Sequence, residues 1–209
     1  MTKNIKFSMT DNILHYKCKP MREKLTQIFL EKNQQLNLSA IRDPEGVRLK
    51  HIQDSLMLLE TKIIQPGMLV IDVGTGGGFP LMPLALSYPE TKFLGIDSVR
   101  KKTLAVNEML DQLGAHNAEV LRTRMEEYQG EKADVITARA VAYSDKLIQR
   151  AFPLLKHGGY FLLMKQFIEE ERSVLLALCK KYHMDLIEER KYSLFDGDIQ
   201  RVIRVVRKR

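Results

Sequence analysis

The sequence predicts an α/β fold: a mostly parallel seven-stranded sheet with a C-terminal antiparallel hairpin and an N-terminal helical extension. Three observations carry that expectation. From residue 67 onward, short apolar runs alternate with helical stretches, the pattern of a parallel sheet covered on both faces. Residues 184–209 instead hold two strand-like segments, MDLIEERKYSL and IQRVIRVVR, around the turn signal FDGD. Residues 1–66 read as helices and loops, with no strand pattern.

The elements come in order. Met21, Leu25, Ile28 and Phe29 recur at helical spacing, which predicts a helix over about residues 16–35. Asp43 suits an N-cap and Pro44 a first helical position, opening a second helix with an apolar stripe of Leu49, Ile52, Leu56 and Leu59. Gln65, Pro66 and Gly67 then break the chain. Strands are expected at MLVIDV, KFLGID, AEVLR, ADVITA and GYFLLM, with helices at residues 81–88, 98–113, 143–155 and 168–182. A mostly parallel sheet closed by an antiparallel hairpin is the Rossmann-like architecture of class I methyltransferases. The boundary is set at 1–66 for the extension and 67–209 for the methyltransferase domain.

Composition narrows the partners. A chain of 209 residues suits one substantial core. No apolar run approaches the roughly 20 residues of a membrane span, and the N-terminus lacks a signal-peptide core, so a cytoplasmic protein with no membrane partner is expected. Cys18 and Cys179 sit in unrelated segments, so reduced thiols and no metal are expected. The net charge of +7 is uneven. Residues 1–66 hold 11 Lys and Arg against 7 Asp and Glu, residues 67–179 hold 13 against 14, and residues 180–209 hold 9 against 5. Solubilising charge explains this as well as a polyanion surface assembled from both termini does.

The segment VIDVGTGGGFP ends an apolar run in Asp72 and continues through Gly74, Gly76, Gly77 and Gly78. In a doubly wound sheet the first strand–loop–helix turn is the usual ligand site. A dinucleotide fingerprint wants a third glycine where Phe79 stands, followed here by Pro80, and a P-loop wants a Lys-Ser/Thr pair that is absent. The pattern suits S-adenosylmethionine, which has no phosphate and carries an ammonium that Asp72 can hold. Asp97, ending the next strand, has two oxygens for two ribose hydroxyls. Met125 or Glu126, after the third strand, falls where the adenine rests.

The acceptor is read by elimination. After the fourth strand comes ARAVA, without the Pro-Pro-aromatic loop used on exocyclic amines, and neither cysteine lies where a pyrimidine C5 nucleophile is needed. A ring nitrogen such as guanine N7 loses no proton, so alignment is most of its catalysis. Arg139, at the ligand edge, is expected to position the donor's carboxylate or an RNA phosphate. His51 lies beside Asp54 and Ser55 at helical spacing; helix packing is the commoner role for such a face, with catalysis the alternative.

NLSAIRDPEGVRLKHIQDSL, VIDVGTGGGFP, GIDSVRKK, TRMEEY and TARAVA together resemble the RsmG (GidB) family of bacterial small-subunit ribosomal RNA methyltransferases. The resemblance runs from about Asn37 to Lys165. It implies methyl transfer from S-adenosylmethionine to N7 of one guanine in 16S rRNA. It also implies cofactor contact by Gly74, Phe79, the Met125–Glu126 pair and Arg139. Leu81, Gln166 and Val141 stand where the family usually has glycine, glycine and phenylalanine. For RNA contact the expected residues are Lys17, Lys19, Arg22, Lys50 and Lys165, in a monomer acting on rRNA or the assembling small subunit. The alternatives are a small-molecule methyltransferase, an NAD-linked oxidoreductase, and an RNA-binding protein that keeps the fold without activity.

Overall fold

The computed structural model describes residues 3–4, 19–139, 145–194 and 199–209. Its strands are β1 (Lys3–Asn4), β2 (Leu69–Val73), β3 (Lys92–Asp97), β4 (Ala118–Arg122), β5 (Ala133–Arg139), β6 (Leu155–Gln166), β7 (Met184–Leu194) and β8 (Ile199–Lys208). They form one sheet in the order β1-β7-β8-β6-β5-β2-β3-β4. All neighbours pair in parallel except β8, which runs against both β6 and β7. The seven expected strands are present, and Lys3–Asn4 adds a two-residue strand beside Arg190 and Lys191.

The hairpin does more than close the sheet. Residues 202–206 are all buried, which an edge strand cannot satisfy, so β8 inserts between β6 and β7. The FDGD turn and the expected helix start at residue 143 lie outside the described residues.

The helices are α1 (Lys19–Leu36), α2 (residues 44–61), α3 (Leu81–Ser87), α4 (Arg100–Leu113), α5 (Asp145–Ala151) and α6 (Glu170–Lys181). Asp43 caps α2 as its sequence predicts, accepting from the Gly46 N–H at 2.6 Å, with Pro44 in the first turn. The helix is not regular. Val47–Gln53 is wound as a π-helix, and the wider turn rotates the downstream residues relative to a 3.6-residue repeat. The expected stripe is therefore only half right: Ile52 and Leu56 are buried, while Leu49 and Leu59 are half-buried and Met57 and Leu58 go inside. The same rotation turns His51, Asp54 and Ser55 inward.

One apolar cluster joins Leu25 and Phe29 of α1 and Ile52 and Leu58 of α2 to Val70, Leu162 and Ile203 of the sheet. The opposite face packs Ile71, Ile136 and Leu163 against Leu147, Ile148 and Leu175. The N-terminal helices thus complete the sheet's own core. From β2 the chain builds β3 and β4 on one side and then β5 and β6 on the other. That reversal opens a crevice at the C-terminal ends of β2 and β5. Among the described residues no helix is long and apolar enough to cross a membrane.

Phe29 is fully buried at the junction of α1 and the sheet, with its ring 4.9 Å from that of Phe79. Phe29→Ala is expected to destabilise the protein by about 3–5 kcal/mol, measured from the urea midpoint and slope.

Candidate active site

The loop after β2 folds back over β3. The Gly74 and Thr75 N–H groups donate to the Ile96 carbonyl at 2.9 and 3.2 Å, and the Gly78 N–H donates to the Thr75 carbonyl at 2.9 Å. Gly78 has φ +89°, and a Cβ there would lie 2.6 Å from Met82 Cε and 3.1 Å from Val106. Only glycine meets both constraints. A second close approach was not visible in the sequence: a Cβ on Gly95 of β3 would lie 2.5 Å from Thr75 Oγ1, so Gly95 makes room for the loop.

Asp72 ends the buried stretch of β2 with its side chain only 1% exposed. Its Oδ1 accepts from the Thr137 hydroxyl at 2.8 Å, across the β2–β5 register, while Oδ2 has no hydrogen-bond partner among the described residues. Burial raises its pKa to about 6, against the opposing pull of Thr137, Thr75 and Arg139. Asp97 is half-buried and already committed: Oδ2 accepts from Gly76 N–H at 2.9 Å and Oδ1 from Val99 N–H at 2.8 Å. It braces the glycine loop while leaving each oxygen a second lone pair.

Across the crevice, Arg139 ends β5 and turns toward α2. Its Nη1 donates to the Lys50 carbonyl at 3.0 Å, both Nη atoms reach His51 Nδ1 at 3.2 Å, and Asp54 Oδ2 lies 3.5 Å away. The guanidinium also lies over the Phe79 ring, 5.6 Å from its centre. Since arginine only donates, His51 Nδ1 must accept, and Nε2–H then donates to Ser39 Oγ at 2.9 Å. Burial first, and Arg139 second, lower the His51 pKa to about 4. His51 is a fixed neutral acceptor, stacked on Phe79 at 4.8 Å and 20°.

Asp54 is the hub behind this wall, 1% exposed. Its Oδ1 accepts from Tyr192 Oη at 2.6 Å and Arg201 Nε at 3.0 Å, and Oδ2 from Arg201 Nη2 at 2.8 Å. Burial is the largest influence on Arg201 and opposes its charge, yet Asp54 and Tyr192 together outweigh it and the arginine's pKa rises. Burial, then Asp54, pushes the Tyr192 hydroxyl well above its ordinary value. Sequence reasoning missed Arg201 and Tyr192. Arg201 recurs with Arg204 and Arg207 at three-residue steps in a strand, which reads as surface charge; nothing local signals a buried carboxylate 147 positions away.

The remaining expected residues are scattered around this centre. Gly74, Gly76, Gly78 and Phe79 form the loop, and Met125 is half-buried with Glu126 exposed in the short 3-10 turn Met125–Glu127, where Glu126 faces Arg150 at 3.5 Å. Lys50 contributes its carbonyl to Arg139, and its side chain is exposed. Lys165 is ion-paired with Glu171, and Arg22 is half-buried on α1. Lys17, Cys18, Val141 and the Lys19 side chain lie outside the described residues. Among the described residues no group of three His, Cys, Asp or Glu side chains is placed to hold a metal.

A sheet in this order, with the glycine loop at its reversal point, defines a class I methyltransferase fold. A SAM-dependent methyltransferase from Aquifex aeolicus shares it with a TM-score of 0.63 at 19% identity, over 85% of this chain and 97% of that one. The chain belongs to the rRNA small subunit methyltransferase G family, GidB, whose model matches residues 19–201. Relatives named Ribosomal RNA small subunit methyltransferase G include one from Lachnoclostridium phytofermentans, 35% identical over 191 residues, covering 87% of this chain and 77% of the relative. Another, from Acetivibrio thermocellus, is 35% identical over 191 residues, covering 87% and 76%.

The geometry has two measurable consequences. Asp54→Ala leaves Arg201 and Arg139 facing each other without a carboxylate, and should cost about 3–5 kcal/mol in urea unfolding. Asp72 gives a pH signature. Its folded pKa of about 6 lies above the ordinary value of 3.8, so the native state holds the proton longer and the group's share of stability falls as pH rises through that window. Asp72→Asn should therefore gain stability relative to wild type between about pH 4 and 6, with a constant difference above about pH 7. Parallel melting profiles across that range would refute the buried, unpartnered carboxylate.

Proposed function

We propose that the protein transfers a methyl group from S-adenosylmethionine to N7 of a guanine in small-subunit (16S) ribosomal RNA. The observation that carries the choice of donor is Asp72, a buried carboxylate with one unpartnered oxygen at the head of a glycine loop. An anion there disfavours a dinucleotide's pyrophosphate and favours a ligand bearing an ammonium. The residues present fit the group: Asp72 for the ammonium, Asp97 for the ribose hydroxyls, Met125 and Glu126 for the adenine, and Gly74, Gly76, Gly78 and Phe79 for the body of the cofactor. Bound S-adenosylmethionine supplies an electrophilic methyl on a sulfonium.

The protein's own groups have the work of positioning. His51 has no lone pair left for a substrate proton, because Nδ1 accepts from Arg139 and Nε2 donates to Ser39. A role as general base is thereby disfavoured, and holding Arg139 is the role we assign it. Cys179 is buried in α6, and burial raises its thiol to about 11, which disfavours a thiolate nucleophile. A ring nitrogen with a free lone pair needs neither group. Arg139, restrained by His51, the Lys50 carbonyl and Asp54, presents a fixed cation at the mouth for a carboxylate or phosphate.

Purified protein with labelled S-adenosylmethionine should label small-subunit rRNA on guanosine. The product should carry a fixed charge and show one strand break after borohydride and aniline. Arg139→Ala that still folds should lose that break. Label on an exocyclic amine, a ribose oxygen or pyrimidine C5 would refute the N7 assignment.

S-adenosylmethionine affinity should be constant above about pH 7 and fall up to tenfold per unit below about pH 6, as Asp72 takes up its proton. Asp72→Asn should bind more weakly and without that pH dependence.

A further inference from the structure

The sequence places its excess positive charge at the two termini, but the fold redistributes it. At the C-terminal end, Lys181 is paired with Asp145, Arg190 with Glu188, Arg201 with Asp54, Arg204 with Glu189, and Arg209 with Asp185. Lys208 is buried, donating to the Phe152 and Leu155 carbonyls at 3.0 and 2.8 Å. Lys191 faces Glu169, which leaves exposed Lys180 and Arg207 as the cations of residues 180–209 without an ion pair or side-chain hydrogen bond among the described residues, and Arg207 lies over the Tyr160 ring.

The near-neutral centre does the opposite. Arg100, Lys101, Arg122 and Arg124 are exposed and Lys102 half-buried, and none of the five makes an ion pair or side-chain hydrogen bond among the described residues. They lie on two packed segments, the start of α4 and the end of β4 with the residues just after it. Asn107 of α4 clamps the outer edge of β4, donating to the Val120 carbonyl at 2.9 Å and accepting from its N–H at 2.7 Å. Lys102 lies five residues back along α4, about 7.5 Å. Arg122 lies two residues on along β4, about 6.6 Å. Helix and strand run in opposite directions, so both positions lie at a similar height, toward the C-terminal edge of the sheet. Arg122 is in register with Asp97, which braces the glycine loop. Of the acids in these segments, Asp97 accepts from two backbone N–H groups, Glu126 faces Arg150, and Glu127 makes no ion pair or side-chain hydrogen bond among the described residues.

We propose that Arg100, Lys101, Lys102, Arg122 and Arg124 form the surface that docks RNA backbone phosphates beside the glycine-loop mouth. Unpaired, exposed guanidinium and ammonium groups have no desolvated partner to give up, so phosphate contact and counterion release come at little cost. The absence of a rigid, forked arrangement suits backbone contact, which positions the RNA without reading its sequence. The proposal rests on the rRNA methyltransferase reading and adds to it where the RNA strand lies.

The test compares two full-length triple variants with wild type, using purified small-subunit rRNA as the probe. One removes strip charge (Arg100→Gln, Lys101→Gln, Arg122→Gln). The other removes equal charge at the C-terminal end (Lys180→Gln, Arg207→Gln, Arg209→Gln). The strip variant should lower the slope of log affinity against log salt by roughly 2, at about 0.7 for each phosphate no longer neutralised on single strands. Its KM for rRNA should rise while kcat and S-adenosylmethionine affinity stay at wild-type values. The C-terminal variant should keep the wild-type slope. A strip variant with the wild-type slope and KM, or a C-terminal variant whose slope drops as much, overturns the proposal. If wild type transfers no methyl to rRNA yet its RNA binding depends on the strip, the enzymatic reading fails and the surface stands.

Discussion

The Asp54 carboxylate is the constraint on which the rest of the site depends. It is buried on α2, yet it takes hydrogen bonds from Tyr192 on β7 and Arg201 on β8, and it sits 3.5 Å from Arg139 on β5. Three distant parts of the chain therefore meet at one anion. A buried charge of this kind is tolerated only with its partners in place. The helical extension, the end of β5 and the inserted C-terminal strand are thus coupled to one another. The π-helical turn in α2 has a physical role here, because it brings His51 and Asp54 inward together.

The second shared element is aromatic. Phe29 of α1, His51 of α2 and Phe79 of the glycine loop pack ring against ring at 4.8–5.6 Å, and Arg139 lies over Phe79. The extension supplies one wall of the crevice, and the loop that frames the other wall leans on it. This arrangement keeps His51 neutral and its imidazole fixed. A histidine near a mouth invites an acid–base role, but its hydrogen bonds point to holding a cation in place.

Charge behaves differently in sequence and in space. Counting Lys and Arg along the chain marks the termini as basic and the middle as neutral. In the fold, Arg190, Arg201, Arg204 and Arg209 pair with Glu188, Asp54, Glu189 and Asp185, whereas cations of α4 and β4 make no ion pair among the described residues. Net charge per segment is informative about solubility and long-range attraction, but not about which cations remain available to a phosphate.

The sequence by itself determined what depends on neighbours in the chain. The bounds of β3 and β4 come from short strand-like runs, those of β7 from a strand-like segment before the FDGD hairpin signal, the Asp43 cap from its place before Pro44, and the glycine loop from residues 74–78, because periodicity, capping and φ preference act over a few residues. The family resemblance also rests on contiguous motifs. Tertiary structure alone decided the rest. β8 enters the sheet interior because five successive buried residues need cover on both faces, and that cover comes from elements far away in sequence. The π turn, the neutral His51 and the pairing of Asp54 with Arg201 share that dependence. Each is set by the low-dielectric interior where a charge must find its partner, and no local pattern records which residue, 147 positions away, that partner is.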